Sequence, residues 1–575
     1  MFWLTLVTCS LSISWGAAVD VNWYKNIIVY QIYPRSFKDS NGDGIGDLNG
    51  ITSKLEHVVD IGAKAVWLSP IYKSPQVDFG YDISNFTDVD PSYGTLADFD
   101  RLVAKAKKLK LKVIMDFVPN HSSNQHPWFQ KSVRKVKPYD GYYIWQNGKI
   151  VNGKRQPPNN WLSNFGGSAW QWSDVRKQYY LHQFAAAQPD LNYRSAALNQ
   201  EMKNVLTFWM NRGVDGFRID AINFMFEDAK FRDEPRSNKT GIPKDDYDSL
   251  VHIYTKDQNE THVTLKSWRK LMDEHSNRTK SDPKLILTEA YTTHDLTIKY
   301  YDAGSNVPFN FMFINQLNNK SSAMDFKNLI DKWVKTVPRG NVPNWVVGNH
   351  DNHRVATRFG RRRAEQIIQM SMILPGISVI YNGDEIGMVD RNFTYAETVD
   401  PAGCNAGRNR YYLKTRDPER TPYQWNNSTS AGFSTKAKTW LPVHPNYKNL
   451  NLEAQKKVSY SHYQHFKSST NLKKRAVVAH GSLKVIIYPR YKILSISRTL
   501  GFDTVVTLFN FDKVSVTLDA KTALPFPSDL VVHTVIGDSD FRLGTIVSTD
   551  SITLPESSAI VFTTPNLFWS KDEDV

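Results

Sequence analysis

Val214-Asp215-Gly216-Phe217-Arg218-Ile219-Asp220 is the stretch on which the reading of this chain turns. It is short, largely apolar on both faces and bounded by Gly213, as expected for a parallel strand covered on both sides. It ends on an acid, with an arginine two residues before. Seven further segments share its character: 27–33, 63–68, 111–117, 285–289, 307–313, 343–348 and 377–381. Amphipathic helices lie between them. Thr95 and Asp98 make a capping box ahead of the stripe Leu96, Phe99, Leu102, Val103, Ala106 and Leu109. Met202, Val205, Leu206, Trp209 and Met210 repeat the pattern before Gly213.

Eight such repeats predict an α/β chain folded as a (β/α)8 TIM barrel. Residues 19–118 form its first part and 201–475 its second. Two stretches break the repeat. Residues 119–200, rich in Gly, Pro, Asn, Trp and Tyr, read as a subdomain inserted after strand 3. Residues 383–445 read as a second excursion, after strand 8. Beyond 476 helical periodicity gives way to alternating segments, which predicts a C-terminal antiparallel β domain over 476–575.

The chain has 575 residues, a formal charge of +14 and 22% charged residues. That excludes global disorder. Its basic residues are dispersed and match no nucleic-acid motif. The runs at 105–108 and 361–363 read as solvated helix faces. Residues 1–18 carry a short apolar run and then Gly16-Ala17-Ala18, which predicts a signal peptide and a secreted product. No later segment is apolar enough to span a membrane. With Cys9 in the signal, Cys404 is left alone, so no internal disulfide is expected. N-glycosylation sequons fall at Asn85, Asn238, Asn259, Asn277, Asn319, Asn392, Asn426 and Asn427. A ninth, at Asn120, is expected to stay unmodified inside the active site. Trp is frequent, at 16 residues, and divides in expectation between core packing and stacking on sugar rings.

Barrel enzymes gather reactive groups at the C-terminal ends of strands. Three acids fall there: Asp220, Glu289 in Leu285-Ile286-Leu287-Thr288-Glu289, and Asp351 in Gly348-Asn349-His350-Asp351. One such acid would read as a helix cap; three, two of them beside Arg218 or His350, point to chemistry. Glycosidic bond cleavage needs two carboxyl groups in different protonation states, roughly 5–5.5 Å apart in a retaining enzyme. Adjacent strands could bring Asp220 and Glu289 to that spacing. Arg218 would keep Asp220 ionised, and Glu289, with fewer cations nearby, would keep its proton. Near the start, Asp39, Asn41, Asp43 and Asp47 set oxygen ligands at alternate positions of a Gly-rich loop. That pattern suits Ca²⁺ or, without an ion, a set of Asx turns.

Taken together, Asp116-Phe117-Val118-Pro119-Asn120-His121, Gly216–Asp220, Thr288-Glu289-Ala290 and Asn349-His350-Asp351 resemble the motifs of the α-amylase superfamily (glycoside hydrolase family 13). The resemblance is closest to insect maltases and bacterial oligo-1,6-glucosidases, whose further motif is matched by Gln188-Pro189-Asp190-Leu191-Asn192. It implies an α-glucosidase in which Asp220 is the nucleophile, Glu289 the acid/base, and Asp351 the group that holds the 2- and 3-hydroxyls. It further implies that Arg218, His121 and His350 contact the first sugar. Tyr81 would stack on that sugar, and Asp82 paired with Arg420 would close its far end. Phe165, Phe184 and Gln188 would add pocket contacts from the insert. Structural Ca²⁺ would be held by Asp39, Asn41, Asp43, Asp47 and the carbonyl of Ile45. Ala221, where α-1,6-specific relatives usually carry Val, leans toward α-1,4 and sucrose-type bonds. The expected substrates are small oligosaccharides such as maltose and sucrose, with no organic cofactor. The alternatives are a transglycosylase or sucrose isomerase on the same scaffold, and a catalytically inactive binding protein. Whether the chain is a monomer or a dimer stays open.

Overall fold

The computed structural model describes residues 19–488, 492–518 and 529–565. The expected signal peptide and the polar residues 569–575 lie outside the described residues. Among the described residues no helix is long and apolar enough to cross a membrane.

Eight parallel strands form the central sheet: β1 (Ile28–Ile32), β2 (Ala65–Leu68), β3 (Lys112–Phe117), β4 (Gly216–Ile219), β5 (Leu285–Thr288), β6 (Val307–Pro308), β7 (Asn344–Val346) and β8 (Ile377–Tyr381). Each pairs with its neighbour in sequence, and β1 pairs with β8, so the sheet curls into a barrel. Only β6 and β7 share no backbone ladder. There Asn344 closes the seam: its Nδ2 donates to Pro308 O at 2.6 Å and its Oδ1 accepts Asn310 N at 2.8 Å. The strand expected over 307–313 stops at Pro308, which has no N–H to continue a ladder, and Met312–Asn315 turns helical instead.

Alternation along each strand sorts the side chains. Val29, Trp67, Ile114, Leu287, Val346 and Val379 fill the barrel interior. Tyr30, Val66, Val113, Phe217 and Ile286 face outward into the larger core under the helices. Both faces are therefore buried, which explains the apolar runs. Gly216 lets β4 lie close to β5, since a Cβ there would meet Leu285 O at 2.5 Å. The helices Leu96–Lys108 and Ala196–Asn211 take the predicted stripes, and the capping box at Thr95 and Asp98 forms.

Between β3 and the helix Ala196–Asn211 lie a short helix, Pro127–Val133, and a three-stranded antiparallel sheet built from Trp145–Gln146, Trp170–Ser173 and Gln178–Leu181. After β8 the chain runs through short helical turns, Pro401–Ala406 and Pro418–Arg420 among them. From Ser482 an antiparallel six-stranded sheet with its own apolar core follows.

Candidate active site

Register places the central cation. Arg218 on β4 sits opposite Asp116 on β3, with both side chains toward the barrel axis. Asp220, two residues after Arg218, returns to the same side. The guanidinium is buried, at 1% exposure, and serves three carboxylates at once. Its Nη1 donates to Asp116 at 2.8 and 3.1 Å and to Asp220 Oδ1 at 2.5 Å, while Nη2 lies 3.1 Å from Glu289 Oε1. Asp220 and Glu289 thus sit on the two arms of one guanidinium. Glu289 Oε2 also accepts the N–H of Ala221 at 2.8 Å, an amide aimed there by a left-handed backbone at Ala221 (φ 45°).

One guanidinium cannot neutralise three buried carboxylates. Burial raises Asp220 to about 7 against the pull of Arg218, and the charges of Asp116 and Asp351 push the same way. Burial likewise raises Glu289 to about 7, opposed by Arg218 and reinforced by Asp220 and Asp351. Asp116 rises to about 6, again chiefly by burial. The expectation that Arg218 would keep Asp220 ionised while Glu289, with fewer cations nearby, kept its proton is therefore corrected. Both acids share Arg218, and the pair retains a proton close to neutrality.

A relay of neutral groups backs this cluster. Gln31 Nε2 donates to His350 Nδ1 at 2.8 Å, which leaves the ring proton on Nε2, 2.6 Å from Tyr81 Oη. Tyr81 in turn donates to Asp116 at 3.2 Å. Its ring lies nearly parallel to His350, at 7° between planes. Burial holds His350 well below its ordinary value and takes His121 down to about 3, so neither imidazole carries charge at working pH.

Asp351 differs from the other acids. Its Oδ1 takes Arg420 Nη2 at 2.8 Å and Arg416 Nη1 at 3.2 Å. Burial would raise its carboxyl, but the adjacent His350 ring together with Arg420 and Arg416 outweighs burial and holds it far below the usual range.

A cavity of about 300 Å³ opens over these groups, lined by Asp78, Tyr81, His121, Phe165, Phe184, Asp220, Glu289, Asp351 and Arg416 among others. Several expected contacts are corrected. Asp82 does not pair with Arg420. It is buried and accepts Ser74 Oγ, Val77 N and Asp78 N, each at 2.9 Å. Arg420 reaches Asp351 and the His350 carbonyl instead. The ion pair in the cavity lining joins Asp78 and Arg416, with Nη2 2.8 Å from Oδ1. Gln188 does not line the cavity. It is fully buried and donates to Asp78 Oδ2 at 3.0 Å from behind. No Trp lines the cavity either; its aromatic walls are Tyr81, Phe165, Phe184, Phe224 and Tyr291. Asp78, Arg416, Tyr291 and Asn223, all in the lining, escaped the sequence reading. Asp78 alone carried a signal, in the same motif as Tyr81.

The oxygen-rich loop lies elsewhere, packed against residues 434–439. Asp39 accepts four hydrogen bonds, from Asn41 N, Gly42 N, Gly44 N and Ser434 Oγ. Asn41, Asp43 and Asp47 accept fewer and keep free lone pairs. Carboxylates, an amide and the Ile45 carbonyl, with no nitrogen or sulfur donor, fit a hard cation such as Ca²⁺.

Comparison with known proteins places this geometry. The family model for the α-amylase catalytic domain matches residues 31–481. An α-glucosidase of Apis mellifera is 47% identical over 534 residues, covering 91% of this chain and 92% of the relative. Maltase 1 of Drosophila virilis is also 47% identical, covering 90% and 83%. Among solved structures, the α-glucosyl transfer enzyme XgtA is 32% identical with a TM-score of 0.81, covering 94% of this chain and 99% of its own. The chain belongs to the α-amylase family.

Proposed function

We propose that this protein is a secreted, retaining, exo-acting α-glucosidase that removes the terminal non-reducing glucose from maltose, sucrose and short oligosaccharides. One observation carries the reading: Asp220 and Glu289 share the guanidinium of Arg218 in a cavity closed at one end by Asp78 and Arg416. The likeness to an insect α-glucosidase and a maltase supports it.

In this reading the terminal glucose stacks on Tyr81, with its far hydroxyls against Asp78 and Arg416. Asp351, ionised between two arginines, accepts hydrogen bonds from ring hydroxyls, and neutral His121 helps fix the ring, while His350, outside the cavity lining, holds Tyr81 from behind. Asp220 attacks the anomeric carbon as Glu289 gives its proton to the departing oxygen. The glucosyl ester on Asp220 is then hydrolysed by a water that Glu289 deprotonates. The shared guanidinium serves both stages: it steadies Asp220 as it regains negative charge and Glu289 when its proton has left. The wall at Asp78 and Arg416 leaves no room for a longer chain beyond the first sugar, which makes the cut terminal. Export is supported by the apolar segment at 1–18 and by sequons whose asparagines are mostly exposed, Asn238, Asn259, Asn277 and Asn319 among them. The loop of Asp39, Asn41, Asp43, Ile45 and Asp47 would hold Ca²⁺ as a structural ion, away from the cavity.

A second reading, glucosyl transfer, is favoured by the likeness to a transfer enzyme. It shares the same intermediate and differs in whether water or a sugar resolves it. The test is product analysis on maltose, sucrose, isomaltose and soluble starch, with NMR of the first anomer released and Asp220→Asn as control. Glucose released as the α-anomer, with turnover abolished in the variant, is expected. Starch as the best substrate, or near-normal turnover by the variant, would overturn the reading; oligosaccharide products in place of glucose would favour transfer.

A further inference from the structure

His353, Asp390 and Glu419 take no part in the site above, and none lines the cavity. His353 lies two residues past Asp351 in the loop after β7. Asp390 and Glu419 come from the excursion after β8, and Glu419 precedes Arg420. His353 Nδ1 is 2.7 Å from Asp390 Oδ2 and 3.7 Å from Glu419 Oε2. One donor atom from each lies within 4.8 Å of the other two, the one such cluster of three among the described residues.

We propose that these three residues form a binding site for a divalent cation of the Zn²⁺ type. The second observation is an orphan. The Glu419 side chain is 2% exposed, yet its Oε2 has no hydrogen-bond partner and points into the cluster. A buried carboxylate oxygen without a partner is costly unless something neutralises it. No arginine hydrogen-bonds that oxygen: the Arg420 guanidinium is turned to Asp351 and the His350 carbonyl, and Arg354 Nη1 to the Asn382 carbonyl. Bound to a metal, two deprotonated carboxylates and a neutral imidazole would supply a charge of −2, which matches a divalent ion.

The geometry suits a small ion. Metal bonds of about 2.0–2.1 Å in tetrahedral arrangement put donor atoms roughly 3.3–3.5 Å apart. The 3.7 Å separation meets that after a slight closing, and the 2.7 Å contact need only open once an ion takes its place. The imidazole is 54% exposed, so the ion has a route in and water can complete its shell. One nitrogen and two oxygens, without thiolate, select Zn²⁺, Co²⁺ or Ni²⁺ over Ca²⁺. This distinguishes the site from the all-oxygen loop at Asp39–Asp47. A bound ion would tie the loop that carries Asp351 to the segment that carries Arg416 and Arg420, the two cations that hold it.

The experiment uses the full chain, treated with chelator and then kept in excess Ca²⁺. Zn²⁺ binding is measured by competition with a chromophoric chelator, and Co²⁺ is added separately to read ligand-field bands. One Zn²⁺ per chain, weakened by about 10- to 100-fold in His353→Gln, is expected, with a Zn²⁺-dependent rise in Tm only in the wild type. Glu419→Gln removes the orphan oxygen's charge and should weaken binding likewise. Equal Zn²⁺ affinity in wild type and both variants, or no stoichiometric binding to the wild type, would overturn the proposal.

Discussion

Arg416 Nη2 lies 2.8 Å from Asp78 Oδ1 and, through the same guanidinium, 3.2 Å from Asp351. One cation therefore joins the end wall of the cavity to the acid on its floor. Asp78→Asn leaves Arg416 held by Asp400, 2.5 Å from Nη2, and by Asp351, so the loss is that of one charged hydrogen-bond partner, about 1.5–3 kcal/mol. We expect kcat/KM for maltose to fall by about 10- to 100-fold, and for longer maltodextrins to fall less, because the wall no longer excludes them. Steady-state kinetics over a series of chain lengths checks this. A uniform loss at every length would mean that the pair only supports the fold.

Glu289→Gln removes the proton donor and keeps the hydrogen bond from Ala221 N. General acid catalysis contributes about 10²–10⁴-fold. Maltose turnover should drop by that order, and an aryl glucoside with a good leaving group should lose far less. If both substrates fell equally, Glu289 would not be the group that protonates the leaving oxygen.

Activity needs one proton on the pair Asp220 and Glu289, both raised to about 7. The profile of kcat/KM against pH should therefore be bell-shaped. The Asp116 charge disfavours ionisation of Asp220 and also takes a share of Arg218. In Asp116→Asn both effects are relieved, the ionised forms of Asp220 and Glu289 become easier to reach, and both pKa values fall. The bell should move toward acid. A shift toward alkali would contradict the shared-guanidinium account.

Chelation of Ca²⁺ by EGTA should lower Tm reversibly, and Asp43→Ala should remove that sensitivity while leaving the KM of the folded enzyme unchanged. Differential scanning calorimetry with and without Ca²⁺ decides it. A Tm indifferent to EGTA would leave the loop as a set of Asx turns.

Much of the site was legible because strand ends announce themselves. Asp220, Glu289 and Asp351 each follow an apolar run, and a barrel sends such positions to one mouth. Asp78 was missed for a local reason. Asp78-Phe79-Gly80-Tyr81-Asp82 offers two acids around one Tyr, and left-handed backbone at Phe79 (φ 46°) and Gly80 (φ 105°) turns the chain between them. The turn leaves Asp78 in the cavity and folds Asp82 beneath it, where it accepts the Asp78 amide. Arg416 precedes the short turn Pro418–Arg420 and Arg420 ends it, and spacing alone could not say which one lines the cavity.

Hydrophobic alternation, helix caps and the placing of acids after strands are local properties, so the barrel and the carboxylates at its mouth could be read from the order of residues. Charge sharing is not local. That Arg218 serves three acids, that the wall pairs residue 78 with residue 416, and that Glu419 Oε2 is left without a hydrogen bond follow from contacts between segments far apart in sequence. Only packing, which sets burial and so the strength of each charge, decides them.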